Sequence, residues 1–223
     1  MKRETTNNDF SIKDCTLVAV ATGLKARTLR EVRSIADTIS PSCIYYHFWG
    51  ALLRSRFDDP EFPNDFASWA SHSLHDKKLA ERLAIINPMD FRDLEDLRKE
   101  VLEVIDERLD ELDMPSWVDE DRQFYFVHSQ IVVFDTKLKL TEPQDLLRNI
   151  DLMSLGSIFY HFIDARRRNP DKGNDFSRWL HSFDGQHDSL VRSINNIDPY
   201  FTTLHDIERE IKDIVQKYYR NEQ

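Results

Sequence analysis

His47 and His161 stand inside otherwise apolar runs, Ile44-Tyr-Tyr-His-Phe48 and Ile158-Phe-Tyr-His-Phe162. An imidazole in such surroundings either satisfies a hydrogen bond in the core or, exposed beside carboxylates, binds a ligand or carries a proton. Tyr46 and Tyr160 precede the two rings. Asp65 and Asp175 follow in the repeated element Asn-Asp-Phe-x-x-Trp, where with Asn64 and Asn174 they read as helix caps and as partners for the imidazoles. Trp69 and Trp179 lie one helical turn after Phe66 and Phe176, which suits core packing. They would stack on a sugar only if an indole face were open. Arg166, Arg167 and Arg168 form either a solvated helix end or an anion pocket for a phosphorylated sugar or nucleotide. His75-Asp76 and His187-Asp188 add two imidazole–carboxylate pairs that could hold a divalent cation.

Composition narrows the chemistry. Five glycines in 223 residues argue against a glycine-rich phosphate loop, a barrel or a sandwich. A formal charge of -10 repels phosphate backbones, so nucleic acid is not an expected partner. There is no Ser/His/Asp order, no nucleophile elbow and no zinc-knuckle spacing, and no cofactor is expected. The longest apolar stretches, such as Leu17–Ala21, are too short to cross a bilayer, so no membrane partner is expected. The polar N-terminus has no secretory signal, and Cys15 and Cys43 lack CxxC spacing. Both features point to a reducing, cytoplasmic setting.

These residues must be placed by a fold, and the chain matches itself when shifted by 114 positions. Val18, Thr22, Leu24, Tyr46, His47 and Phe48 fall on Val132, Thr136, Leu138, Tyr160, His161 and Phe162. The match resumes at Asn64-Asp-Phe66 and Asn174-Asp-Phe176. The expectation is a tandem duplication: a tail at 1–14, a first unit at 15–109, an acidic linker at 110–123 with Trp117 pinned to a surface, and a second unit at 124–223. The two units are expected to share one core about a pseudo-twofold axis.

Each unit opens with a β-rich run, Thr16–Ala21 or Phe124–Phe134. Thr28-Leu-Arg-Glu31 is a capping box for the first helix, and Thr141-Glu-Pro143 starts its counterpart. Pro41 separates that helix from a second one at 42–54, matched by 156–168. A short helix follows each Asn-Asp-Phe-x-x-Trp, another runs through Leu79, Leu83 and Ile86, and long amphipathic helices cover 93–109 and 204–219. The expected class is α+β, mostly α, with each unit a short strand followed by about four to five helices.

The motifs Ile44–Phe48, Asn64–Trp69 and Leu79–Pro88, echoed at 158–162, 174–179 and 190–199, resemble a prokaryotic family known only as a domain of unknown function. The resemblance covers nearly the whole chain and transfers no activity or ligand. It implies an association with carbohydrate-active enzymes such as glycosyltransferases. A second, looser likeness is to the HD metal-dependent phosphohydrolases. It would use His47, His75 and Asp76 in one unit and His161, His187 and Asp188 in the other, with Asp96 or Asp206 as a final ligand. The expected function is a non-enzymatic binding or regulatory protein whose partner is a carbohydrate-active enzyme or a phosphorylated sugar. The alternatives are the metal-dependent hydrolase and a protein-interaction adaptor using the exposed faces of the two long helices.

Overall fold

The computed structural model describes residues 8–53, 61–112 and 122–221. The chain is mixed α and β, mainly helical, with one two-stranded sheet. Its strands are long: β1 spans Phe10–Ala26 and β2 spans Phe124–Leu140. Thr22 Oγ1 donates to Phe126 O at 2.7 Å, and Thr136 Oγ1 donates to Ile12 O at 2.6 Å. The late part of each strand thus meets the early part of the other, so the pairing is antiparallel. Both strands outrun the expected β segments. Residues 10–14, read from the sequence as tail, run within β1.

The chain forms two compact units that are not contiguous in sequence. The split unit joins the residues up to Thr16 with those from Val132 onward, and the continuous unit is Leu17–Ile131. Each strand therefore contributes its first half to one unit and its second half to the other, whereas the sequence reading leaves each strand with the helices that follow it.

In the continuous unit, α1 (Leu29–Thr38) begins with the expected capping box: Thr28 accepts from Glu31 N, and the Glu31 carboxylate accepts from Thr28 N. Pro41 starts α2 (Pro41–Trp49), a helix buried nearly all round. Next come α3 (Asp65–His72), α4 (Lys77–Ala84) and α5 (Leu94–Glu111). The last packs on α1, α2 and α4. Buried Arg98 on α5 donates to Ala36 O and Ile39 O, satisfying carbonyls at the end of α1.

In the split unit, α6 (Pro143–Asn149) starts at Pro143 with Glu142 as its N-cap. A 3₁₀ turn at Ile150–Leu152 leads to a continuous helical run. This run consists of α7 (Leu155–Ile158), a π-helical stretch Phe159–Asp164 and α8 (Ala165–Arg168). Then follow α9 (Asp175–His181), α10 (Asp188–Asn195) and α11 (Leu204–Asn221). Gly156 opens the run because β1 passes close by: a Cβ there would sit 2.3 Å from Cys15 O. Among the described residues, no helix is long and apolar enough to cross a membrane. Trp117, most of the acidic linker and Arg54 lie outside the described residues.

Candidate functional site: two imidazole–carboxylate centres

The local sequence sets each centre in the same way. Asn64 and Asn174 are the N-caps of α3 and α9, their side chains accepting from Ala67 N and Ser177 N. The cap therefore belongs to the Asn, and the following Asp turns its carboxylate toward the neighbouring helix. His47 Nδ1 lies 3.0 Å from Asp65 Oδ2, and His161 Nδ1 lies 2.8 Å from Asp175 Oδ2.

The second nitrogen of each ring is also engaged. Val127 N–H of β2 donates to His47 Nε2 at 3.3 Å, and Lys13 N–H of β1 donates to His161 Nε2 at 2.8 Å. A backbone amide can only donate, so Nε2 carries the lone pair and Nδ1 the proton in both rings. Both histidines are 2% exposed. A general base or metal ligand needs an accessible lone pair, and here each one is spent on a strand amide.

Aromatic rings close the surroundings. His47 is flanked by Tyr46, Phe66, Phe124 and Phe126, with centroids 4.8–6.0 Å away. His161 is flanked by Phe10, Tyr160 and Phe176 at 4.9–5.7 Å. Trp69 and Trp179 are 8% and 7% exposed. Trp69 Nε1 donates to Arg122 O at 2.8 Å, and Trp179 Nε1 donates to Asn8 O at 2.7 Å. Trp179 stacks on Phe10 with centroids 5.4 Å apart. Neither indole offers the open face that sugar stacking needs.

The arginine run does not form a free cluster. Arg167 and Arg168 donate to Asp164, which is 1% exposed. Arg168 also donates to Asp175 Oδ2 at 2.9 Å and to Tyr160 O, and its guanidinium lies 3.9 Å above the Tyr160 ring. Arg166 turns the other way, over Phe162. Its partial burial pushes its pKa down, against an opposing pull from Asp198. Burial works to raise the Asp175 pKa, but hydrogen bonds from His161, Asn169 and Arg168 outweigh it and hold the carboxyl below the usual range. The Cys15 thiol is pushed up to about 12, first by burial and then by Asp164 and Asp14. A thiol held protonated is a poor nucleophile.

The other histidine–aspartate pairs are separate from these centres. Asp76 caps α4 through Leu79 N and takes the Arg108 guanidinium at 2.8 Å, while His75 Nε2 sits 3.3 Å from Arg122 Nη1. His187 Nδ1 lies 3.1 Å from the Tyr218 hydroxyl, and Asp188 faces His181 at 3.3 Å. Among the described residues, no three His, Cys, Asp or Glu side chains converge as a metal site would require. Sequence reasoning missed the two strand amides and Asp164. Backbone donors leave no signature in residue type. Asp164 was legible only through its spacing of three and four residues from Arg167 and Arg168.

A family model described as "Family of unknown function (DUF5752)" matches residues 7–216. A solved structure titled "The structure of OrfY from Thermoproteus tenax" is similar at 27% identity and a TM-score of 0.80, covering 94% of each chain. A search of curated proteins gave no match.

Proposed function

This chain belongs to the DUF5752 family, and we propose that it is a non-catalytic binding or regulatory protein that works beside carbohydrate-active enzymes. One observation carries the non-catalytic part: both imidazoles spend both ring nitrogens on internal bonds, so the residues best suited to chemistry act as fasteners between strand and helix. The carbohydrate setting rests on the family resemblance of the three repeated motifs. We also infer that the two units arose by copying one segment. The recurrence of the Asn cap, the His–Asp bond and the strand amide in each unit supports this reading.

The test is calorimetric titration of the protein with sugar phosphates and nucleoside-diphosphate sugars, alongside a phosphomonoesterase assay with and without divalent metal. Saturable binding without turnover is the expected result. Metal-dependent hydrolysis, or metal retained by protein purified without chelators, would establish the hydrolase alternative instead.

A further inference from the structure

The 2.8 Å bond from Lys13 N–H to His161 Nε2 tolerates only one charge state of the ring. A backbone amide has a proton to give and no lone pair to offer, so a second proton on Nε2 would meet the Lys13 hydrogen head-on and the bond would be lost. The Nδ1–H bond to Asp175 survives that change and becomes charge-assisted, because an imidazolium donates from both nitrogens. Protonation therefore makes His161 give up one partner and hold the other more tightly.

The charges facing the ring allow it to carry a proton while buried. Asp175 on α9 is the counter-ion: burial pushes its carboxyl upward, but hydrogen bonds from His161, Asn169 and Arg168 hold it below the usual range, so it stays ionised. Arg168 on α8 donates to the same carboxylate oxygen at 2.9 Å and opposes the added charge, and Asp164 offsets that guanidinium. On β1, the Lys13 ammonium is turned to Asp135 at 3.6 Å, and the Asp14 carboxylate accepts from Ser154 Oγ and Cys15 N–H. Phe10, Tyr160 and Phe176 face the imidazole as rings 4.9–5.7 Å away.

We propose that His161 is a proton-operated latch: the neutral ring holds the first half of β1 to the helices of the split unit, and the protonated ring releases the Lys13 amide while keeping Asp175. The release is local. Asn8 O remains bonded to Trp179 Nε1 and Ile12 O to Thr136 Oγ1, and neither bond involves a side chain that titrates in acid. Acid thus loosens the strand from the helical run and leaves the sheet paired. The inference rests on the fastener reading of His161 and is independent of what the protein binds.

Scalar coupling across the N–H···N bond, between the ¹⁵N nuclei of the Lys13 amide and His161 Nε2, reads the latch on the full chain from about pH 8 downward. At the upper end of the range the coupling should be present. It should vanish in step with the ¹⁵N shift that reports ring protonation. Over the same steps the exchange protection factor of the Lys13 amide should fall at least about tenfold, while amides of the β1–β2 ladder keep theirs. In His161→Gln the side-chain carbonyl still offers Lys13 an acceptor and has no proton to gain, so Lys13 protection should not respond to acid. A coupling absent at the upper end would overturn the fastener and the latch together. A coupling that persists until the whole chain unfolds, or ring protonation that leaves Lys13 protection unchanged, would overturn the latch alone.

Discussion

The His47 centre of the continuous unit and the His161 centre of the split unit perform the same joining task on different helical geometry. In the first, the ring is carried on a regular α-helix and its two bonds are 3.0 and 3.3 Å long. In the second, the ring sits in a π-helical stretch, both bonds are 2.8 Å, and Asp175 also receives Arg168 and Asn169. Gly50 closes the first helix, whereas the position 114 residues later is the buried Asp164 that organises Arg167 and Arg168. The charges around Asp175 therefore brace a joint in the split unit, and the comparison shows one fastener, an imidazole between a strand amide and a carboxylate, carried on two kinds of helix.

His161→Leu should have the largest effect. It orphans the Lys13 amide and one acceptor site of Asp175, at a cost of about 3–5 kcal/mol for the pair of buried groups. His47→Leu should cost less, about 2–3 kcal/mol, because its bonds are longer. Urea unfolding of the two variants measures the difference, and equal losses would erase the distinction between the centres. Asp164→Asn should cost about 2 kcal/mol by weakening the anchor of the two arginines, one of which is half exposed. Chemical denaturation should place it between the histidine variants and the smaller effects below.

Acid sensitivity sharpens the same contrast. The Asp175 pKa in the folded state lies below its unfolded value. Its contribution is therefore complete above the ordinary aspartate range and fades as pH falls through the depressed folded pKa. Asp175→Asn should flatten the acid limb of a stability–pH curve, and an unchanged limb would show that the carboxylate's interactions carry no linkage. Smallest is the effect of the left-handed backbone within the strands. Gly23 has φ +78° with nothing within 4 Å of where a Cβ would sit, and Lys137, 114 residues later, has φ +65°. Gly23→Ala should lose about 1 kcal/mol from the left-handed backbone alone, read as a small drop in melting temperature.

Much of the local framework was legible because it depends on side-chain chemistry. The Thr28–Glu31 box, the break at Pro41 and the Asn caps all follow from groups that satisfy free helix amides or remove one. The His–Asp pairing was legible for a similar reason, since a buried imidazole needs a partner and the Asp recurs with it. The exchange of strand halves between units was not. Residues 10–14 contain too few apolar positions to announce a strand, and which helices a strand joins is decided by bonds such as Lys13 N–H to His161. The π-helical turn was equally silent, because Phe159–Asp164 carries no residue that distinguishes it from ordinary helix.

The most direct measurement is a long-range ¹H–¹⁵N spectrum of the imidazole rings, recorded before and after addition of zinc. Fasteners with both nitrogens committed should show His47 and His161 as Nδ1–H tautomers whose signals zinc leaves in place. A proton on Nε2 in either ring, or zinc-dependent loss of their signals, would contradict the assignment of these histidines to scaffold.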